Sequence, residues 1–206
     1  VQSAYSREVE SSADLYGVAL MARAGGDSRA LAPILDRIAG EIEPGSKLLA
    51  DHPQFEVSAV AASDRSQGKA YGDACSWRLT TEMPAAVRSM IVQPPAPPLN
   101  CELVFSSLPG EIARETEGSF AAAGYPVISN SSAYRMDADV PLLIPEINHQ
   151  HLGLLPRQQY SSGGYIVTNP NCSTIMLALA LAPLHASFGV SSVVATTLQA
   201  LSGAGY

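Results

Sequence analysis

Thr168-Asn169-Pro170-Asn171-Cys172-Ser173-Thr174 runs directly into the apolar stretch from Ile175 to Leu184. The pattern predicts an extended segment giving way to a helix, with an asparagine and a cysteine at the junction. A helix start exposes N–H groups without intrahelical partners and the positive end of the macrodipole. Both favour a thiolate, the form of cysteine that attacks carbonyl carbon. Asn171 beside it could cap the helix or donate a hydrogen bond to a developing oxyanion. That is a layout for covalent acyl transfer. Cysteine is also among the most buried residue types, so the same local chemistry suits a buried thiol near a helix start.

Such a junction needs a scaffold, and the rest of the chain supplies its parts. Tyr16 to Ala22 is a short apolar run of strand type. Gly25-Gly26 breaks it, and Ser28 to Ile42 has amphipathic helical spacing. Strands are expected at Phe55–Ala62, Met90–Val92, Cys101–Ser106, Tyr125–Asn130 and Gly164–Thr168. Gln93 to Pro98 reads as an extended surface connection. Gly110 to Gly124 is expected to be helical, with Ile112, Phe120 and Ala121 facing the core. Ser191 to Leu201 is a β-rich run before the turn Ser202-Gly203-Ala204-Gly205. Strands alternating with helices predict an α/β fold with a mainly parallel sheet. Ligands bind such sheets at the C-terminal strand ends, where Ala62-Ser63, Ser106-Ser107 and Ser129-Asn130 fall. Small hydroxyl and amide side chains there suit a phosphate- and ribose-bearing ligand, although each also terminates strands in its own right.

Composition narrows the classes. The chain has 206 residues, 47% of them apolar, enough for a sizeable core. A net charge of -7 without a Lys/Arg cluster argues against a nucleic-acid surface. No apolar run reaches membrane-spanning length, and no signal-peptide pattern is visible. Cys75, Cys101 and Cys172 form no CxxC pair and no zinc spacing, which points away from metal and toward a reducing, cytoplasmic compartment. A chain that begins with Val suggests a fragment or a processed product.

VTNPNCSTI around Cys172, taken with TTLQALSGAGY from Thr196 to Tyr206, resembles aspartate-semialdehyde dehydrogenase of the fungal and archaeal branch. LLADHPQFEVSAVAASDRSQGKAYGDACSW from Leu48 to Trp77 and SNSSAYRMDADVPLLIPEIN from Ser129 to Asn148 carry the same resemblance. It runs from about Lys47 to Tyr206. It implies a Rossmann-like NAD(P)-binding domain over 47–168, the beginning of a second α+β catalytic and dimerisation domain over 169–206, and an unmatched segment over 1–46. Enzymes of this family reduce L-aspartyl 4-phosphate to L-aspartate 4-semialdehyde with NADPH, releasing phosphate, in lysine, threonine, methionine and isoleucine biosynthesis. By the match, Cys172 is the nucleophile, Asn171 helps the oxyanion, and Gln199 orients the substrate. Arg135 holds the phosphate, with Asn130 beside it. Ser63 and Arg65 resemble the site for the adenosine 2′-phosphate, which favours NADP over NAD. Ser106, Ser107, Ser202, Gly203 and Ala204 fall where the family meets its cofactor. The family also implies a homo-oligomer.

Two parts of the pattern are absent. The glycine-rich pyrophosphate loop should precede Leu48, where Ala39-Gly40-Glu41-Ile42-Glu43-Pro44-Gly45-Ser46 stands instead; Gly25-Gly26 is a weak substitute. The family's general-base histidine and second substrate arginine fall past Tyr206, and His52, His149, His151 and His185 stand in other contexts. These departures leave two alternatives: an inactive fragment that binds an intact partner through Ile175 to Leu184, or a related acyl-phosphate reductase such as N-acetyl-glutamyl-phosphate reductase.

Overall fold

Leu103–Ser106, Pro126–Ser129 and Tyr165–Thr168 are short apolar segments, too brief for helices, and each forms a strand: β3, β4 and β5. The computed structural model describes residues 19–24 (as backbone), 55–75, 77 and 82–197. Within these, β1 (Ala19–Ala24) and β2 (Phe55–Ala61) complete a five-stranded sheet in the order β2-β1-β3-β4-β5. β3, β4 and β5 pair in parallel. β1 is antiparallel to both of its neighbours, so β2 shares the direction of the other three. Four strands therefore end on one edge, as a mainly parallel sheet requires.

The register places like residues side by side: Val104, Val127 and Ile166 in one row, Phe105, Ile128 and Val167 in the next, Ser106, Ser129 and Thr168 in the last. Successive side chains point to opposite faces, and both faces are buried. Leu103, Phe105, Ile128 and Val167 pack with Phe55, Val57, Tyr71 and Val87 on one side. Val104, Val127 and Ile166 pack with Phe120, Ala121 and Tyr134 on the other. On β2, the register against β1 shifts between Met21 and Ala22, which pair with Ala59 and Val57 and leave Ser58 as an extra residue. That bulge moves the alternation by one, so Val60 joins Phe55 and Val57 on the same face.

Two one-turn helices, α1 (Tyr71–Ala74) and α2 (Ala85–Arg88), cover the first face. The expected strand at 90–92 is reduced to single bridges, Ile91 to Ala70 and Gln93 to Ala61, because the prolines that follow leave no donors for a ladder. The helix α3 (Gly110–Ala122) crosses β3, β4 and β5 and buries Ala113, Glu117, Phe120 and Ala121. Ile112, expected in the core, is 52% exposed. The buried stripe starts one residue later, at Ala113, and one residue is a 100° rotation on a helix. Gly124, at φ 99°, ends the turn that follows α3.

After β4 the chain passes through α4 (Pro145–Asn148) and a 3₁₀ segment, His149–Gln158. The Gln158 side chain donates to Ile166 O at 2.7 Å and accepts from Ile166 N at 2.8 Å, imitating a neighbouring strand along the open side of β5. The helix α5 (Cys172–Phe188) follows β5 and carries Pro183; Ile175 is its buried residue, while Met176 and Phe188 are exposed. Residues 191–197 carry neither helix nor strand, against the run expected from Ser191 to Leu201, whose last four residues lie outside the described ones; Val193 and Val194 stand in solvent. β propensity makes a strand only beside an edge to pair with. Among the described residues no helix is long and apolar enough to cross a membrane.

Candidate active site

Because β2, β3, β4 and β5 share a direction, Ser63, Ser106-Ser107, Asn130 and Cys172 all follow strand ends on one edge of the sheet. Cys172 is the first residue of α5 and is partly exposed. Asn171 is its N-cap, with extended backbone, and its Oδ1 accepts from Thr174 N at 2.9 Å. Of the two roles open to Asn171 in the sequence, capping is the one its oxygen performs.

Arg135 stands over this junction. Its Nε donates to Asn169 O at 2.9 Å and its Nη2 to Asn130 O at 2.8 Å, so one planar guanidinium joins the residues that follow β4 and β5. Burial pulls the guanidinium below its ordinary pKa, and the charge of the Cys172 sulfur works against that pull. The Asn169 side-chain oxygen is buried and has no hydrogen-bond partner among the described residues.

The turn that carries Arg135 is held from α3. Arg114 donates to both carboxylate oxygens of Asp137 at 3.1 and 2.8 Å and to Ala133 O at 2.6 Å. Its guanidinium lies 4.5 Å from the centre of the Tyr134 ring, whose hydroxyl donates back to Arg114 O at 2.6 Å. One turn along the same helix, Glu117 Oε1 accepts from Ser106 Oγ at 2.6 Å and Ser129 Oγ at 2.8 Å. The Ser106 hydroxyl thus points inward; Ser107, next to it, is partly exposed. Burial pushes the Glu117 carboxyl up from its ordinary pKa, and the two serine hydroxyls oppose this. Neither Glu117 nor Asn169 stands out in the sequence as a site residue. A glutamate on the buried stripe of a helix is the signal that betrays the first.

At the end of β2, Ser63 O accepts from Ser66 N at 3.0 Å and Gln67 N at 3.3 Å, forming a tight turn that exposes Asp64 and Arg65. Gln67 Nε2 donates to Asp64 Oδ1 at 2.8 Å, which gives that carboxylate a local partner. Gln199, Ser202, Gly203 and Ala204 lie outside the described residues, as do His52 and the segment 39–46. His185 Nδ1 faces Val190 N at 3.0 Å, about 20 Å along α5 from Cys172 by helical rise. His151 Nδ1 is 3.0 Å from Asn148 Nδ2. Among the described residues no cluster of His, Cys, Asp and Glu could hold a metal ion.

Residues 45–155, more than half of the chain, match the family model of the semialdehyde dehydrogenase NAD binding domain. A second model, Peptidase family M48, matches residues 1–63. That stretch holds one histidine, His52, and no HExxH zinc signature. Over 163 residues the chain is 48% identical to an aspartate-semialdehyde dehydrogenase of Archaeoglobus fulgidus, covering 78% of this chain and 47% of that protein. Over 168 residues it is 45% identical to the Cryptococcus neoformans enzyme, covering 78% and 46%. The crystal structure of the Candida albicans enzyme with NADP superposes with a TM-score of 0.62 at 40% identity, covering 69% of this chain and 43% of that one. The chain spans about half the length of the curated relatives it matches. It belongs to the aspartate-semialdehyde dehydrogenase family and carries that family's NAD-binding domain.

Proposed function

We propose that the chain serves the reductive dephosphorylation of L-aspartyl 4-phosphate to L-aspartate 4-semialdehyde, with Cys172 as the nucleophile. The observation that carries this reading is the Cys172 thiol at the start of α5, which follows a segment that the Arg135 guanidinium holds through Asn169 O while it also holds Asn130 O. The thiolate adds to the acyl carbon of the mixed anhydride, and the negative charge moves to the carbonyl oxygen. The amide nitrogen of Asn171, whose oxygen caps the helix, is the donor for that oxyanion. Collapse breaks the C–O bond to phosphate, which leaves toward Arg135, and a thioester to Cys172 remains. Hydride added to the thioester carbon and loss of the thiolate give the aldehyde. Gln199 orients the substrate in this scheme.

NADP fits the same edge. The Ser63–Arg65 turn offers a hydroxyl and a cation for a 2′-phosphate, with Asp64 engaged by Gln67. The buried Asn169 oxygen is an acceptor that a ligand amide would satisfy. When bound, the dinucleotide supplies the hydride. By the family match Ser107, Ser202, Gly203 and Ala204 are its partners in this reading, while the Ser106 hydroxyl is turned away to Glu117. The Candida relative was crystallised with NADP, which supports the choice.

The test is phosphate-dependent NADP reduction with L-aspartate 4-semialdehyde, comparing the chain with Cys172→Ala. Absorbance that rises for the chain and not for the variant supports the reading. Equal rates would remove Cys172 from the chemistry. One observation favours a second reading, a thiol-bearing unit that works only when joined to another protein: α5 exposes Met176, Leu177, Leu184 and Phe188. Activity that appears only on adding an intact family enzyme inactivated at its own cysteine would select it.

A further inference from the structure

Glu117 is 1% exposed, lies on the helix that crosses three strands, and takes no part in the chemistry above. Its Oε1 gathers two O–H donors, from Ser106 at 2.6 Å and Ser129 at 2.8 Å, which are the last residues of adjacent parallel strands. A serine hydroxyl has one proton. Ser129 points its O–H at Glu117 as a hydrogen-bond donor, which turns its lone pairs toward the turn, and Ser131 N donates to them at 3.0 Å. Ser131 Oγ then accepts from Ala133 N at 3.3 Å. The relay runs from the carboxyl into the turn and stops two residues short of Arg135, whose side chain returns to Asn130 O and crosses to Asn169 O. Glu117 Oε2 is buried with no hydrogen-bond partner among the described residues. A group left that way costs stability, so an apolar side chain would serve better if packing were its whole task.

We propose that Glu117 is a positioning residue for the Cys172 site: it fixes the ends of β3 and β4 and, through Ser129 and Ser131, the turn that holds Arg135 against Asn169. This rests on the reading of Arg135 and Cys172 as a working pair. Glu117 touches neither the thiol nor the substrate, so its effect must appear in the field that Arg135 exerts on Cys172.

Two alkylating reagents read that field. Iodoacetate is an anion and iodoacetamide is neutral, so the ratio of their rates at Cys172, taken only for variants whose circular dichroism and urea midpoint show them folded under the labelling conditions, reports local positive charge. The rates are measured on the full 206-residue chain by mass spectrometry of the Cys172 peptide. Arg135→Gln is expected to lower the ratio about five-fold, the scale of one partly screened charge pair. Glu117→Ala and Ser129→Ala are each expected to lower it about three-fold, toward Arg135→Gln. Glu117→Gln keeps an acceptor oxygen and is expected to restore the wild-type ratio, and Ser119→Ala on the same helix to leave it unchanged. If Arg135→Gln lowers the ratio while Glu117→Ala and Ser129→Ala keep it, Glu117 is structural only and the proposal is overturned. A Glu117→Gln variant as poor as Glu117→Ala overturns the acceptor role. If Glu117→Ala does not fold, Ser129→Ala decides alone. An unchanged ratio in Arg135→Gln overturns the Arg135 reading itself, and this proposal with it.

Discussion

Arg135 Nε and the carbonyl of Asn169 are joined at 2.9 Å although 34 residues separate them in sequence. The bond ties the turn after β4 to the segment that enters α5, so anything that moves Arg135 also moves the approach to Cys172. A cation held by two carbonyls is aimed before any anion arrives.

Lysine should not replace this arginine. One ammonium cannot meet Asn130 O and Asn169 O through two coplanar donors and still present a flat face to phosphate. In the wild-type chain inorganic phosphate is expected to slow carboxymethylation of Cys172. Arg135→Lys is expected to need about tenfold more phosphate for the same protection. Protection curves that superpose would detach Arg135 from the anion.

The three thiols should separate by reactivity. Burial pushes Cys101 up to about 11, and burial also raises Cys75, with a hydrogen bond to Tyr71 in opposition. At about pH 8 only roughly one Cys101 in a thousand is a thiolate, and its labelling rate should climb about tenfold per pH unit. Iodoacetamide at that pH is expected to modify Cys172 first. Peptide mapping that finds Cys101 labelled ahead of Cys172 would contradict the assignment of the nucleophile.

Glu117 should also leave a mark on stability. Burial raises its folded-state pKa above the unfolded value, so between the two the native state holds a proton that the unfolded chain has lost. The glutamate's contribution is therefore most favourable below the unfolded pKa. It declines as pH rises through that value and levels off above the folded pKa. Glu117→Gln lacks this slope. Urea titrations from about pH 4 to about pH 7 are expected to show the variant gaining on the wild type as pH rises. A difference that stays flat with pH would mean that the carboxyl ionises alike in both states.

Gly164 marks a close approach. A Cβ there would run into the backbone carbonyl of Ala121 and come within 2.9 Å of Tyr125 O. Backbone at a helix end cannot step aside as a side chain can. Gly164→Ala is expected to cost roughly 1–3 kcal/mol by chemical denaturation, with Cys172 labelling of the remaining folded protein little changed. A neutral result would mean that α3 and β5 tolerate more separation than their contact suggests.

What the sequence disclosed follows the range of the interactions. The Asn171 cap on Thr174 spans three residues, so residue type and spacing announce it. The strands at 103–106, 126–129 and 165–168 announce themselves by short apolar runs. The partners of Arg135 are backbone carbonyls brought in by parallel pairing, and no residue type signals a carbonyl. Glu117 is concealed for a related reason: counting apolar residues on α3 passes over a carboxyl that serine hydroxyls make tolerable in the core. Ile112 differs from its expected place by a single step of helical phase, and 191–197 from the expected strand because propensity has no edge there to satisfy it.

β1 lies between β2 and β3 and pairs with both, Ala19 to Ala61 on one side and Leu20 to Phe105 on the other. It comes from residues 19–24, upstream of the stretch that the semialdehyde dehydrogenase model covers. Without it β2 and β3 would stand about two strand spacings apart, near 10 Å, too far for a backbone bond. Trimming the chain to the portion its relatives explain would leave two ribbons with raw margins, each ready to recruit a strand from another molecule. A strand outside the semialdehyde dehydrogenase match is the seam that keeps the sheet whole.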